Sequence, residues 1–473
     1  MTASPFSEWP RADLGGRRWG RDGVTALTVF IVLLMAIPAQ YVVGPLGAAG
    51  TPAQILGIAM TVWWAGGKLA RPFAATPDAR PIRTAMLIFL ASALISYVAA
   101  NLRPIEGVEA RAADRGLLTL VALLGVIVVA GDQIPSRARL DALLRRLVLA
   151  GAAVATLALV QFVTGTTFTN YLQLPGLSIN NELYGIAQRG AFLRPAGTAL
   201  SAIEFGVAMS IIFPLALHYG MADRHRGRFI RWFPVVMMAL SVPISVSRSA
   251  VVGATVAFGL MLPVMTARAR AFGLLAAAGL LAFVYVAVPG MLGTLLGLFT
   301  QIGSDSSAAS RTGSYSLAIE FISQSPIVGR GFTTFLPEYR ILDNQLLGTT
   351  IEMGVVGLLA LLGLLGTGLW TAWRVRRGST DGTTRQLAQA LLASLAAGSV
   401  SFAFFDAFSF PMVAGLTFLI LGTIGALRRL TVARSAGEAA LEIGKRHAAR
   451  AAGGHVLQWY RHFRSSNTYV AAG

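Results

Sequence analysis

Residues 232–265 read WFPVVMMALSVPISVSRSAVVGATVAFGLMLPVM, two apolar runs separated by a single charged residue, Arg248. Blocks of this kind, about 17 to 25 residues bounded by charge or by Pro and Gly, recur along the chain. They match the length that a helix rising 1.5 Å per residue needs to cross a hydrocarbon layer. The spacing predicts helices over 24–43, 51–66, 84–100, 116–131, 147–164 and 199–219. A second set follows over 232–247, 249–265, 270–289, 347–372, 386–404 and 408–427. The expected fold class is therefore an all-α polytopic membrane protein of about 12 transmembrane helices.

Composition agrees with that reading. The 473 residues are 55% hydrophobic and 13% charged, with a mean hydropathy of +0.64, too apolar for a water-soluble domain of this size. The absence of cysteine excludes disulfides, thiolate metal sites and cysteine nucleophiles. A formal charge of +18 raises nucleic acid as a partner, but the basic residues do not gather on one soluble face. All but two of the 39 cationic residues, Lys68 and Lys445, are arginines.

The segments between helices divide the cationic residues 30 to 9 when alternate segments are assigned to opposite sides. Positive residues stay in the cytoplasm, which puts both termini inside. The Arg17-Arg18 pair before the first apolar run resembles a signal, but no small-x-small cleavage site follows, and a retained anchor is expected. Residues 1–23 then form a cytoplasmic segment, 24–289 the first nine transmembrane helices, and 290–346 an extracytoplasmic loop with short surface helices. Residues 347–427 form the last three spans and 428–473 a basic cytoplasmic tail, weakly helical near 437–450. Within the large loop, Tyr315, Ala318, Ile319 and Ile322 follow helical spacing until Pro326.

Counting sixteen residues from Trp232 raises Arg248 by roughly 24 Å, to the outer edge of the hydrocarbon. It can snorkel there, or it can hold an anion, since an intramembrane charge is costly unless paired. Glu204 lies more than a turn inside the sixth run, where Arg194 or Arg248 could partner it as a structural bridge or as a substrate orienter. Arg311 shares a face with the surface-helix stripe; its guanidinium can grip phosphate oxygens bidentately or anchor the helix to lipid headgroups. Arg330 and Arg340 lie in the same loop. Asp343, in Asp343-Asn344-Gln345, reads either as a helix N-cap or as a general base, and Glu352 follows about two and a half turns later.

No D-x-D pair, P-loop, H-E-x-x-H or G-x-S-x-G is present. The five histidines fall on the cytoplasmic side of this topology, which leaves carboxylates and arginines for chemistry at the outer face.

Three stretches carry a family resemblance: Arg194 to Gly206, Ser245 to Ala250, and Arg311 to Leu358. The last contains Ser325-Pro326-Ile327-Val328-Gly329-Arg330-Gly331-Phe332, Asp343-Asn344-Gln345 and Ile351-Glu352-Met353-Gly354-Val355-Val356-Gly357-Leu358. In order and membrane depth they resemble the O-antigen ligase and polysaccharide polymerase superfamily, GT-C-like membrane glycosyltransferases acting on polyprenyl-diphosphate-linked glycans.

The resemblance implies a bacterial cytoplasmic-membrane location and a metal-independent, inverting transfer without a cofactor. Asp343, Arg248 and Arg311 would be catalytic; Arg194, Glu204, Arg330, Asn344 and Glu352 would bind substrate. The implied partners are the lipid-linked glycan donor, a glycan acceptor, membrane lipids and other polysaccharide-assembly proteins, with no nucleic acid. Ligases typically carry His-Asn where this chain has Asp343-Asn344, a departure that leans toward a polymerase. The competing class is a lipid-linked glycan transporter; inverted repeats and midplane charges, its usual signs, are not evident.

Overall fold

The computed structural model describes residues 22–70, 80–180, 187–189, 192–300, 306–436 and 438. The Arg17-Arg18 pair and the weakly helical stretch expected near 437–450 fall almost wholly outside them. Among the described residues 78% are helical. Its helices are α1 (Gly23–Ala36), α2 (Pro52–Leu69), α3 (Pro81–Asn101), α4 (Gly107–Gln133), α5 (Arg137–Thr164), α6 (Ala202–Ala222) and α7 (Arg228–Ile244). These are followed by α8 (Arg248–Met261), α9 (Ala267–Ala287), α10 (Met291–Thr300), α11 (Ser306–Gln324), α12 (Gln345–Gly378) and α13 (Gly382–Ser401). The last, α14, spans Pro411–Ala436 and so extends into the segment assigned to the tail.

Among the described residues, α3, α4, α5, α6, α9, α12 and α14 are long and apolar enough to cross a membrane, and α1 and α8 are shorter apolar helices. This is a multi-pass membrane architecture. Among the described residues, strand is confined to residue pairs and triplets: Tyr41–Val42 pairs antiparallel with Ser178–Ile179, and Ala187–Arg189 with Phe192–Arg194.

Helix ends follow local chemistry. Asp22, Thr51, Ser136, Ser201, Thr266, Asn344 and Asp381 each accept a backbone N–H at a helix start, replacing a bond that the first turn lacks. α1 stops at Ala36, shorter than the apolar run, because Pro38 cannot continue it. α4 and α5 begin well before their apolar runs, at Gly107 and Arg137, because their charged first turns remain helical.

α6 lies at the centre, with 83% of its apolar window buried against α5, α7, α8 and α13. α2 crosses α4 closely: a Cβ at Gly125 would sit 2.1 Å from the Gly57 carbonyl oxygen. α9 is peripheral, with 6% of its window buried.

α12 is not one continuous helix. At Gly354 the backbone turns to φ 64°, ψ −168°, which frees carbonyls before the break and amides after it. The turn Pro326–Gly331 supplies their partners. Arg330 N donates to Ile351 O (3.1 Å), Gly331 N to Glu352 O (2.9 Å), Val355 N to Pro326 O (2.9 Å) and Val356 N to Ile327 O (3.2 Å).

The Ser96 hydroxyl of α3 also donates to Glu352 O at 2.7 Å. A Cβ at Gly329 would lie 2.2 Å from Glu352 backbone atoms, and one at Gly354 2.2 Å from Ile327 O. Both glycines also hold positive φ, 71° and 64°, so the close approach and the backbone conformation each demand glycine.

Gly354→Ala and Gly329→Ala are therefore expected to destabilise the folded protein by about 3 kcal/mol or more, from overpacking combined with left-handed strain. Gly348→Ala, where nothing lies within 4 Å, should be neutral or slightly stabilising. Thermal unfolding in detergent checks this, and equal melting temperatures for all three variants would refute the interlock.

Candidate functional site

The first two motif stretches meet at the N-terminal end of α6. Arg194 Nε donates to Ser245 O at 2.9 Å, three residues before Arg248. A Cβ at Gly206 would stand 2.6 Å from both Ala250 Cβ and Ser245 Oγ, and the Ser210 hydroxyl donates to Ala250 O at 3.0 Å. The α7–α8 turn is strained: Val246, a β-branched residue, has φ 43°, a conformation that costs on the order of 1–3 kcal/mol. Its side chain is fully buried against Val284, Met291 and Leu295, which offsets the strain and fixes where Arg248 emerges.

Glu204 is fully buried, yet its carboxylate accepts from backbone amides, those of Leu200 (2.5 Å) and Met412 (2.6 Å). The need for a guanidinium partner, inferred from the sequence, is thereby met by the starts of two helices, α6 and α14. Glu204 thus ties the Arg194–Arg248 region to the first turn of α14, where the loop from α13 ends.

That loop reaches the third motif stretch. Gln345 N donates to Phe402 O (2.8 Å) and Phe405 O (3.1 Å), while Gln345 Oε1 accepts from Phe408 N at 2.8 Å. Rings of Phe89, Phe332, Phe402 and Phe418 surround Phe408. The N-cap of α12 is Asn344, whose Oδ1 accepts from Leu347 N at 3.1 Å. Asp343 precedes it, half-buried, and does not fill the cap. Its charge bears on Asp406, and Asp406 in turn interacts electrostatically with Glu352 at the α12 break.

Sequence reasoning missed Asp406. The available signal was an acidic residue inside the otherwise apolar and aromatic stretch SFAFFDAFSF, residues 401–410.

Arg330 is engaged in the scaffold. It pairs with Glu109 and lies 4.8 Å from the Phe321 ring centre and 4.7 Å from that of Tyr339. Arg103 joins the cluster, 2.8 Å from Glu109 Oε2, and its Nη2 donates to Arg330 O at 3.1 Å. Tyr339 donates to the same carboxylate, and this hydrogen bond raises the phenol above its ordinary range. Glu109 is 2% exposed; it clamps the segment after the Pro326–Gly331 turn onto α3 and α4. Thr333 continues that contact by donating to Ala112 O at 2.6 Å.

Arg311 falls on α11, which packs against α12, while its side chain lies outside the described residues. The expected surface stripe divides: Ala318 and Ile322 join Leu342 and Ile351, whereas Tyr315 and Ile319 face outward.

Residues 233–362 match the Wzy_C family, described as O-antigen ligase. The match begins in α7 and ends in α12, so it contains Arg248, Arg311, Arg330, Asp343 and Glu352, along with the interlocked turn. It supports the O-antigen ligase and Wzy-like family that the motifs resemble. Among curated proteins no match is found.

Burial, with the charge of Asp343 adding to it, holds Asp406 above its usual value of 3.8, against hydrogen bonds from Ser409 and from the Phe408 and Ser409 amides. Because the folded-state value is the higher one, the resulting stability is fully present below the unfolded value and is lost as pH rises through the folded value. Asp406→Asn removes that loss. Its melting temperature should exceed that of the wild type by more at about pH 8 than at about pH 4. A wild type that gains on the variant as pH rises would overturn the assignment.

Proposed function

We propose that the protein is a polymerase of a cell-surface polysaccharide that transfers glycan from a polyprenyl-diphosphate carrier to an acceptor sugar hydroxyl. The proposed location is the outer face of the bacterial cytoplasmic membrane, with twelve spans and both termini inside. The observation that carries this reading is the convergence of the three motif stretches at one end of the bundle. Arg194 joins Ser245, Glu204 joins Met412, and the charge of Asp343 bears on Asp406, while the O-antigen ligase match covers the middle of this assembly.

In the proposed reaction Asp343 accepts the proton of the acceptor hydroxyl as that oxygen attacks the anomeric carbon. The bond from the anomeric carbon to the diphosphate oxygen breaks, and the electron pair leaves with the polyprenyl diphosphate. Direct displacement inverts the anomeric configuration. Arg248, Arg311 and Arg194 stabilise the charge that grows on the diphosphate, where guanidinium contacts to phosphate are strong in a site of lowered dielectric. These side chains need no metal ion to do so.

Asp406 brings a second carboxyl on which the charge of Asp343 bears. Glu204, Asn344, Glu352 and Arg330 bind the substrate in this proposal, from positions where they also hold helix starts, the α12 break and the loop. A second reading, a ligase that transfers a finished polymer, uses the same chemistry; the aspartate at position 343 favours the polymerase.

Cells lacking the gene are expected to accumulate single lipid-linked repeat units on the outer leaflet. Long lipid-linked chains would instead indicate a ligase, and units trapped inside would indicate a transporter. Asp343→Asn, Arg248→Ala and Arg311→Ala should each reduce polymer formation by about a hundredfold or more. Wild-type chain length in Arg248→Ala and Arg311→Ala cells would remove the basis of the mechanism.

A further inference from the structure

Two glutamines are buried at the corner that leads into α6, Gln40 and Gln161, each 1% exposed. Gln161 is taken up by the backbone: its Oε1 accepts from Gly197 N at 2.8 Å and its Nε2 donates to Gly197 O at 3.1 Å. The next residue, Thr198, joins the corner to the end of α1. Its carbonyl accepts from Ala39 N at 3.1 Å, and its hydroxyl donates to Met35 O at 2.6 Å. Gln40 follows Ala39 directly, and both its Nε2 and its Oε1 are buried without a hydrogen-bond partner.

A carboxamide carries two donors and an acceptor, and burying them unmade removes their hydration with nothing in return. Gln161 shows that the same corner can satisfy such a group at both ends. Buried polar groups without partners are rare in folded proteins, and strain of this kind gathers where a ligand is held.

The position of Gln40 points to the same ligand as the motif stretches. Four residues of chain, spanning at most about 14 Å, separate Thr198 from Arg194, and Leu200 N, two residues on, donates to Glu204. The segment after α5, residues 165–180, lies against this corner as a strap. Asn180 N donates to Gln40 O at 3.0 Å, Tyr41 and Val42 pair with Ile179 and Ser178, and the Tyr41 hydroxyl donates to Thr169 O at 3.4 Å and to Leu172 O. Among the described residues of the strap only Thr169 is buried, so few packing contacts resist its displacement.

We propose that Gln40 binds adjacent hydroxyls of a sugar ring in the lipid-linked glycan once the strap lifts from Tyr41. Its Nε2 donates to one oxygen and its Oε1 accepts from the neighbouring hydroxyl. The proposal rests on the lipid-linked glycan substrate proposed above. A carboxamide matches a pair of neighbouring hydroxyls, each able to donate and accept. A site whose polar groups stay unpaired without those hydroxyls also discriminates strongly against a ligand that lacks them.

The test follows chain growth by the full-length protein in phosphatidylcholine vesicles. The probe is the lipid-linked glycan extracted from cells lacking the gene. Gln40→Met keeps the length of the side chain and removes the carboxamide. Its KM for the probe is expected to rise about tenfold or more with kcat little changed, the loss of two hydrogen bonds. Its melting temperature should equal or exceed that of the wild type, because an unpaired group has been removed. Tyr41→Phe keeps the carboxamide and loosens the strap, so it should lower KM by about threefold.

An unchanged KM in Gln40→Met would overturn the proposal, and a lower melting temperature beside it would mark Gln40 as a hydrated structural residue. An unchanged or raised KM in Tyr41→Phe would overturn the role of the strap. Absence of chain growth in the wild type would defeat the polymerase reading alone. The same two shifts, read as Kd of the probe by native mass spectrometry, would then decide Gln40.

Discussion

The half of the structure that carries Asp343 depends on a backbone exchange between a loop and a broken helix. Where α12 turns at Gly354, the turn at Pro326–Gly331 takes over the hydrogen bonds that the helix gives up, two donated in each direction. A break of this kind within an apolar environment is tolerable only if each freed polar group finds another partner. Glycines at 329 and 354 allow the two backbones to approach to a distance at which no Cβ fits. Ser96 from α3 adds a third element to the same junction. Loop and helix are thus joined by main-chain contacts that side-chain substitutions elsewhere leave in place, and the neighbour is joined by the Ser96 hydroxyl.

This joint fixes the direction in which the first part of α12 leaves the bundle, and hence where Asp343 stands. Gln345 completes the placement by exchanging hydrogen bonds with the loop between α13 and α14, which delivers Asp406. Glu204 links the first turn of α14, where that loop ends, to α6, and α6 packs on the turn from which Arg248 emerges. Buried carboxylates therefore act in two ways here. Glu204 and Glu109 are taken up by amides, guanidinium groups and a phenol, whereas Asp343 remains half-buried at the site where a proton acceptor is proposed.

Much of the helical architecture was legible because about twenty apolar residues in a row leave few alternatives. Helices occur in each of the twelve apolar segments, although α1, α2, α7, α8 and α13 fall outside the seven described helices that meet both length and apolarity for crossing. Ends were less legible: α4 and α5 continue through charged turns that a hydropathy reading assigns to loops. The break at Gly354 was invisible within a run that reads as one apolar helix, since it depends on partners about 27 residues away in the chain.

The same reason hid Glu109 and Asp406, whose roles come from residues far off in sequence. Arg330 read as a substrate-binding candidate from its place in the loop, and its pairing with Glu109, 221 residues away, was not visible in the sequence.

The most direct measurement of the central claim follows the purified protein in lipid vesicles supplied with a glycan on a polyprenyl-diphosphate carrier. The account predicts longer glycan chains, one polyprenyl diphosphate released for each new linkage, and loss of both in Asp343→Asn. Chain growth in that variant at the wild-type rate, or carrier crossing the bilayer without any new linkage, would contradict it.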